Sequence, residues 1–553
     1  MTTKSTRLFL ICVCIYVAVL ICRAVLVAWP PAGLFYNIDE LEMTLSCVDR
    51  FLGVPSTSLQ WPGSILQMLM LPVIAVDFLV HGSLGGGMTG EVAHFSAYIA
   101  KAYANPVHSV VLLRALVAVI ASAAPVLAFL ISSALNESIT AALLCSALVA
   151  FAPVFTQQSA MAMGEGVAIT FVLAAVLVVL RYRTRGVITA GVLFAGALAA
   201  RITTAALIVL PVLLIMLGDV EPVRARLRSV ARFLLVTAVG FLFWCPYVWT
   251  EPIRFAKALL GHVRPQAVLN LTMFLKAALE GLGPSLFVLT CASFIACLVV
   301  ATISRQKGPA TAAVLSTAAV ALPLLSSGND IFPRYFLPLL PCIAIMTTVA
   351  LRRDQFPRSI HLALVGLFSL GCTAMFIESA YAEAGLRRPD ELAQGINAAR
   401  ALSGAALYLP QEALYLYRIP IPNAVYQRMY DRATAQLQDH SGLLRFLRLR
   451  GIPGDAAKVL MTNFTEDEQA LDARLSAASS ASAPSAAPLY FYFDPATIHG
   501  IVAERLSPSD YTIAEALQHF RASGNSGILL HEPVPGFGSP VWKGTHGWFL
   551  YRN

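Results

Sequence analysis

The stretch LFLICVCIYVAVLICRAVLVAW, residues 8–29, is followed after a short link by YNIDELE, residues 36–42. The first stretch carries a single charged side chain and is long enough to cross the bilayer core as a helix. Basic residues precede it, as in a signal peptide, but no small-residue cleavage site follows it. We therefore expect a retained first transmembrane helix, with Asp39, Glu40 and Glu42 at the point where the chain leaves the bilayer.

The composition places the chain among integral membrane proteins. Hydrophobic residues make up 57% of its 553 residues and charged residues only 13%, which lies outside the range of soluble domains. The net charge of +8 is divided among short loops between apolar runs, which fits membrane topology better than nucleic-acid binding. The ten cysteines lie almost all within apolar runs and predict neither a disulfide framework nor a metal site.

Apolar runs of roughly spanning length recur along the first two thirds of the chain, and each could form a membrane helix. Together with the first stretch they give eleven predicted helices, the others being 109–134, 139–154, 165–180, 187–200, 203–217, 233–249, 284–303, 309–325, 335–351 and 359–377.

A further apolar segment, WPGSILQMLMLPVIAVDFLV at 61–80, would make a twelfth span, and the loop charges argue against it. Without it, 14 Lys and Arg residues fall in cytoplasmic loops and nine in outer loops as far as the tenth helix, in agreement with the positive-inside rule. If the segment at 61–80 crossed the membrane, every basic loop from RYRTR (181–185) onward would lie outside the cytoplasm. We therefore expect an interfacial or re-entrant helix, broken by Pro62 and Pro72, within a long first external loop at 30–106.

The last third of the chain differs in composition, and the odd number of preceding spans places it outside the cytoplasm. Residues 1–378 form the predicted transmembrane module and 379–553 a small extracytoplasmic α/β domain, with a flexible low-complexity insertion at 475–488. LYFYF at 489–493 indicates a strand, and DYTIAEALQHFRA at 510–522 indicates a helix. The expected fold class is an α-helical polytopic membrane protein of about eleven transmembrane helices with a small C-terminal α/β domain.

Short motifs occur along the chain in the order in which one enzyme superfamily carries them. They are Asp39-Glu40, WPGSILQ at 61–67, Arg114 near the start of the second helix, Glu165 in FAPVFTQQSAMAMGEG, AARITTAALIVLP at 199–211, CPYVWTEPIRF at 245–255 and PRYFLPLLP at 333–341. In this order and on one predicted face, they resemble the polyprenyl-phosphate-sugar-dependent glycosyltransferases of the membrane-embedded GT-C type, which include protein mannosyltransferases and lipid A aminoarabinose transferases. The resemblance spans about residues 8–378, without an Asp-x-Asp metal pair or a WWD signature.

This resemblance implies an inverting glycosyltransferase that moves a sugar from a polyprenyl-phosphate donor to a glycan, lipid or protein acceptor of the cell envelope. It would act on the extracytoplasmic face of the inner membrane. Inversion requires a carboxylate to take the proton of the acceptor hydroxyl as its oxygen attacks the anomeric carbon. Asp39 is the expected base and Glu40 the second candidate, although solvated carboxylates at the start of a juxtamembrane helix would produce the same pattern.

The leaving phosphate gains negative charge and requires cations on the same face. Arg201 is a strong candidate because it lies between two apolar runs, where a charge costs about 2.5 to 3.5 kcal/mol to insert; the alternative is that it snorkels to the headgroups. The further candidates for binding the donor phosphate, each of which would also suit a solvated loop or an interfacial anchor, are His262, Arg264, Lys276, Arg334 and Tyr335.

Glu165 and Arg114 are auxiliary candidates that would orient the acceptor or adjust the base, although Glu165 would equally serve as an ordinary acid at a helix start. No cofactor is expected. A divalent metal would need Asp39 and Glu165 to come close together, and we favour a site without metal.

Two other function classes stay open. A transporter or flippase of a lipid-linked substrate would place ionisable groups on broken helices near the bilayer midplane, whereas the acids here cluster in one predicted external loop. A non-catalytic scaffold with a carbohydrate-binding tail would tolerate mutation of those acids. The expected partners are the lipid bilayer, a polyprenyl-phosphate-linked sugar and its acceptor, and no nucleic acid.

Overall fold

A computed structural model describes most of the chain. The described residues are 3–28, 38–52, 63–82, 107–136, 138–218, 222–250, 252, 253, 255, 256, 271–303, 308–325, 333–386, 394, 395, 398, 406–410, 489–493, 510–530, 533, 537–544 and 548–553. The chain divides into two compact units. The first comprises Met1–Ala28, Ser56–Pro72 and Val110–Glu383, and the second comprises Trp29–Pro55, Val73–Ser109 and Ala384–Asn553.

Helices make up nearly all of the described residues as far as residue 386. In chain order they are α1 Thr3–Ala28, α2 Ile38–Leu52, α3 Ser64–Gly82, α4 Val107–Ala121, α5 Ala123–Leu135, α6 Ile139–Phe151, α7 Pro153–Gln158, α8 Glu165–Tyr182, α9 Val187–Ala200, α10 Val209–Met216, α11 Val223–Trp244, α12 Tyr247–Thr250, α13 Leu271–Leu282, α14 Pro284–Ile303, α15 Gly308–Leu325, α16 Leu340–Ala350 and α17 Arg358–Leu386. Short 3-10 helices occupy Arg183–Gly186, Ile202–Ile208 and Pro333–Leu339.

Eight helical stretches in the described part of the chain are long and apolar enough to cross a membrane. They are Thr6–Val27, His108–Leu135, Glu165–Ala200, Val223–Trp244, Pro284–Ile303, Gly308–Leu325, Pro333–Ala350 and Arg358–Ala380. The stretch Glu165–Ala200 contains two of the predicted helices, and the shorter apolar helices Ile139–Phe151 and Ile202–Met216 correspond to two more. The predicted fold class, a helical polytopic membrane protein, is confirmed, and the number of crossings stays a prediction.

The packing of the first unit has a buried centre and an apolar exterior. All eleven residues of α16 are buried among α5, α6, α14 and α15. Outer helices instead expose large apolar side chains, such as Leu235 on α11 and Leu370 on α17, which are 65% and 73% exposed. An apolar outer surface of this kind suits lipid rather than water.

Helix α3 corrects one expectation from the sequence. It begins after Gly63, whose φ of 38° is a left-handed conformation that suits glycine, and it continues unbroken through Pro72. The predicted break at Pro72 is therefore wrong. Apolar helices in membrane proteins tolerate proline because neighbouring groups can satisfy the freed backbone carbonyl. The predicted placement of this segment in the first external loop stays a prediction.

The second unit contains a six-stranded mixed sheet among its described residues. Its strands are β1 Ala406–Pro410, β2 Leu489–Phe493, β3 Asp510–Thr512, β4 Ser526–Leu530, β5 Trp542–Lys543 and β6 Phe549–Arg552, in the spatial order β3-β2-β1-β4-β6-β5. The first four strands pair in parallel, and β6 pairs antiparallel with both β4 and β5. Helix α18, Ile513–Ala522, buries Phe520 against Ile528 and Tyr551.

The predicted strand at 489–493 and the predicted C-terminal α/β architecture are confirmed. The first residues of the predicted helix at 510–522 are strand instead, because Asp510 and Tyr511 pair with Phe491 and Tyr492 before the helix begins. The predicted insertion at 475–488 lies outside the described residues. Helix α17 runs continuously past the predicted domain boundary at 378, which stays a prediction.

Candidate functional site

Three charged side chains from distant parts of the chain meet in one cleft of the first unit. The Nη2 atom of Arg201 lies 3.3 Å from Oε1 of Glu165, and the Nε atom of Arg334 lies 4.0 Å from the same oxygen. The cleft is lined by Glu165, Ile169, Arg201, Thr203, Thr204, Arg334, Tyr335, Leu337 and Pro338. Predicted phosphate ligands and a predicted auxiliary acid thus form a single cluster.

Glu165 is placed by a close backbone approach. It is the first residue of α8, where the partial positive charge of a helix N-terminus favours a carboxylate. The preceding Gly164 packs so tightly that a Cβ atom there would overlap the carbonyl oxygen of Ala200. Because Ala200 directly precedes Arg201, this contact brings the carboxylate and the guanidinium together.

Arg201 lies at a break between two helical segments. Its backbone is extended, with φ −156° and ψ 112°, between α9 and the 3-10 helix Ile202–Ile208. Thr204 satisfies the backbone carbonyl of Arg201 through both its amide (3.1 Å) and its hydroxyl (2.7 Å). The break turns the Arg201 side chain into the cleft, where the residue is only 4% exposed.

Arg334 and Tyr335 open the 3-10 helix Pro333–Leu339. A second glycine, Gly281 of α13, approaches this segment so closely that a Cβ atom would overlap the carbonyl oxygen of Pro333. Phe274 of the same helix packs edge-on against Phe336. Arg201 and Arg334 therefore each directly follow a residue whose backbone carbonyl lies against a glycine.

The cluster is buried, but the Glu165 carboxylate lacks well-aligned hydrogen bonds from the described residues. The side chains of Glu165 and Arg201 are 6% and 5% exposed, and that of Arg334 is 13% exposed. Among the described residues, no donor makes a hydrogen bond of good geometry to either carboxylate oxygen of Glu165. A buried ion pair offsets its desolvation only with excellent geometry and additional hydrogen bonds, so the Glu165 carboxylate contributes little to stability in this arrangement.

Residues that sequence analysis did not assign also build this end of the unit. The Ser64 hydroxyl of α3 donates to the carbonyl of Ala199 at 3.4 Å, and the Tyr247 hydroxyl donates to Oε1 of Gln67 at 2.6 Å. These residues belong to the motifs WPGSILQ and CPYVWTEPIRF, so two segments noted for their order in the chain are in contact. The sequence signal that could have identified Ser64, Gln67 and Tyr247 is their position within those two motifs.

Two more buried arginines belong to the first unit. Arg114 of α4, an auxiliary candidate, is completely buried and does not line the cleft. Arg23 of α1 donates to the carbonyl oxygen of Ala150 at 2.8 Å and to the Thr156 hydroxyl at 3.2 Å. Arg23 therefore fastens α1 to the end of α6, a structural role that its position within an apolar run could have suggested.

The remaining site candidates are Asp39, Glu40, His262, Arg264 and Lys276. Asp39 and Glu40 lie in α2, within the second unit; Glu40 is fully buried, and the Asp39 side chain is outside the described part of the structure. His262 and Arg264 also lie outside the described residues. Lys276 is 68% exposed on α13, 4.0 Å from Glu280, and does not line the cleft.

The described residues contain no group of three or more His, Cys, Asp or Glu side chains placed to hold a metal ion. The predicted absence of a metal site stays a prediction, since the alternative pairing of Asp39 with Glu165 involves a side chain that is not described.

A protein-family model and solved structures are similar to this chain. No curated protein sequence matches the chain. Among solved structures, the crystal structure of ArnT from Cupriavidus metallidurans in the apo state is similar at 14% identity, covering 100% of this chain and 98% of that chain, with a TM-score of 0.42. Residues 82–247, which include Arg114, Glu165 and Arg201, match the family model of dolichyl-phosphate-mannose-protein mannosyltransferases, and the resemblance drawn from the motifs is confirmed over that segment.

Proposed function

We propose that this protein is an inverting glycosyltransferase that moves a sugar from a polyprenyl-phosphate donor to a cell-envelope acceptor on the extracytoplasmic face of the inner membrane. The observation that carries the proposal is the convergence of Arg201 and Arg334 in one cleft at an end of the spanning helices. A lipid-linked donor keeps its isoprenoid tail in the bilayer, so its phosphate must be bound at such a helix end.

The cleft offers the groups that a phosphate requires. Two guanidinium groups can form charge-assisted hydrogen bonds to phosphate oxygens, and arginine suits this geometry better than lysine. Thr203, Thr204 and Tyr335 add hydroxyl groups to the lining. We propose Arg201 and Arg334 as the donor-phosphate ligands, with Tyr335 as a hydrogen-bond donor. Positive charge placed in advance where negative charge develops lowers the barrier without further reorganisation.

We propose Asp39 as the general base, with Glu40 as the second candidate. The carboxylate takes the proton of the acceptor hydroxyl while the hydroxyl oxygen forms a bond to the anomeric carbon. The bond between that carbon and the donor phosphate oxygen breaks, and its electron pair stays on the phosphate. The products are an inverted glycoside and polyprenyl phosphate. No metal takes part in this scheme, so chelation of divalent ions should leave the rate unchanged.

A lipid-linked substrate transporter is the second candidate, and one observation favours it. The helical runs are interrupted by 3-10 segments at Ile202–Ile208 and Pro333–Leu339, and interrupted helices are typical of transporter binding sites. The charged residues lie at the starts of these runs, however, rather than near their middles. This position at the starts of the helical runs supports transfer over translocation, because a transporter site is expected near the bilayer midplane.

The test is to incubate the purified protein in lipid nanodiscs with a panel of polyprenyl-phosphate sugars and cell-envelope extract. We expect one donor to be consumed with release of polyprenyl phosphate, and Asp39→Asn to abolish release while donor binding persists. Glu42→Gln, which changes a neighbouring acid of the same helix, is the matched control. Donor binding without release in the native protein, together with transbilayer movement in sealed vesicles, would instead establish transport.

A further inference from the structure

Glu165 occupies the place that an anion would take between two arginines. Its carboxylate is within 3.3 Å of Arg201 and 4.0 Å of Arg334, yet no described donor makes a well-aligned hydrogen bond to it. A carboxylate retained for stability is normally fully bonded when buried. Glu165 therefore reduces the positive charge of the cleft without the hydrogen bonds that would fix it there.

The proposed reaction changes the charge that this cleft must hold. A polyprenyl-phosphate sugar is a phosphodiester with one negative charge, whereas the released polyprenyl phosphate is a monoester that approaches two negative charges above its second pKa near 6. Two arginines alone would bind the product more tightly than the donor, because Coulomb attraction scales with charge. A nearby carboxylate repels each ligand in proportion to the same charge and so opposes retention of the product most strongly.

We propose that Glu165 is a charge-selective positioning residue that competes with phosphate for Arg201 and Arg334 and promotes release of the doubly charged product. The same repulsion disfavours lipid-linked diphosphates, which also carry at least two negative charges. This inference rests on the proposed function. It differs from a structural role for Glu165, because it assigns to the carboxylate an effect that depends on the charge of the ligand.

The experiment measures ligand affinity without acceptor, in nanodiscs at pH 8. The probes are a short-chain polyprenyl phosphate and its methyl phosphodiester, which share a tail and differ by one charge. Glu165→Gln should bind the phosphodiester about threefold more tightly than the native protein and the monoester about tenfold more tightly, since the factor is squared when the ligand charge doubles. Glu165→Asp, which keeps the charge, should stay near the native values.

Asp354→Asn is the matched control, because Asp354 is likewise paired with an arginine, Arg352, but is 59% exposed and separated from the cleft residue Pro338 by the length of α16. It should change neither affinity. In the kinetic assay, Glu165→Gln should lower kcat and KM together and make the enzyme more sensitive to inhibition by added polyprenyl phosphate. Any stability that Glu165→Gln loses should be regained on adding the monoester, because ligand binding stabilises the folded state.

The outcomes separate the two proposals. If the native protein binds neither probe, the proposed function is wrong. If the native protein binds both probes and Glu165→Gln tightens them equally or weakens them, the proposed function stands and the charge-selective role is wrong. If Glu165→Gln and Glu165→Ala both fail to fold even with the monoester present, Glu165 is a structural residue and the inference is again overturned.

Discussion

Two helical runs of the first unit have charged residues at both ends, and the hydrogen bonding of these residues differs between the two ends. One run leads from Arg201 to Met216 and the other from Arg334 to Ala350. At the starting end, the arginines approach a buried carboxylate at 3.3 and 4.0 Å without good hydrogen-bond geometry. At the far end, Arg226 donates to the carbonyl oxygens of Met216 and Gly218, the second at 3.0 Å.

The far end of the second run is satisfied in the same manner. The Asn136 side chain donates to the carbonyl of Leu351 at 3.1 Å, and Arg352 bonds Asp354 at 2.8 Å. Here polar groups close the helix ends and contribute to stability. The contrast between the weakly bonded Glu165 carboxylate and these bonded helix ends is in keeping with the proposed anion site, because functional sites often depart from the rules that favour local stability.

The largest expected effect comes from Arg201→Gln. If Arg201 stabilises the leaving phosphate as proposed, loss of its guanidinium should reduce the transfer rate by about 10² to 10³. Arg226→Gln, at the satisfied end, should retain the native rate. The measurement is release of polyprenyl phosphate by the two purified variants. Equal losses in both would remove the functional distinction between the two ends.

Gly164→Ala should disturb the site through its backbone. The added Cβ overlaps the Ala200 carbonyl, and overpacking of this kind costs about 1 to 3 kcal/mol. We expect a lower unfolding temperature and a lower transfer rate. Gly366→Ala is the control, because nothing lies within 4 Å of its Cβ position in α17. That helical substitution should be neutral or should stabilise the protein by up to about 1 kcal/mol. Identical behaviour of the two variants would show that the contact at Gly164 is unimportant.

Arg226→Gln should mainly affect stability. Its hydrogen bonds to the carbonyls of Met216, the last residue of α10, and of Gly218 also place positive charge at a helix end, and together these effects are worth about 1 kcal/mol. Intrinsic fluorescence during heating would measure the change in unfolding temperature. Arg228→Gln removes an exposed arginine that bonds only weakly within its own helix, to Arg224 at 3.4 Å. An equal effect of both substitutions would argue against a specific role for the Arg226 contacts.

The smallest expected effect concerns Asp354. Partial burial raises its pKa, but the hydrogen bond and positive charge of Arg352, with further hydrogen bonds, outweigh this and hold the pKa below its ordinary value. A lowered pKa in the folded state contributes stability that is complete above the unfolded-state pKa of about 3.9 and is lost as pH falls through the folded-state value. The native protein should therefore lose slightly more stability than Asp354→Asn on acidification from pH 5 to pH 3, by less than about 1 kcal/mol. A larger acid loss in Asp354→Asn would contradict the sign.

Apolar runs and loop charges were enough to predict the main helices, because bilayer thickness imposes a minimum length and a nearly uniform composition. The 3-10 segments after Arg201 and before α16 were not predicted. They depend on close contacts with α8 and α13 through Gly164 and Gly281, which no local pattern reveals. Similarly, Asp510 and Tyr511 follow a helix-like sequence but become a strand because β2 lies beside them.

For the site, sequence analysis identified Arg201, Arg334, Tyr335 and Glu165 as candidates from their residue types and predicted face. It did not predict that Glu165 lies against both arginines, because that contact joins segments separated by up to 169 residues in sequence. Lys276 was also a candidate, with a solvated loop as its alternative, and the structure exposes that side chain beside Glu280. The assignments of Asp39 and Glu40 stay predictions.

The bonds around Arg23 carry a consequence for the biosynthesis of the chain. Arg23 is joined to Thr156, and the Thr156 hydroxyl is joined in turn to the Ser379 hydroxyl at 3.2 Å. The first of these bonds can form once α6 and α7 have been synthesised, whereas the second must wait for α17. During synthesis, the charge of Arg23 can therefore be shielded as soon as the third predicted span is present. The hydrogen bond between Thr156 and Ser379 completes this set of contacts only when α17 has been made.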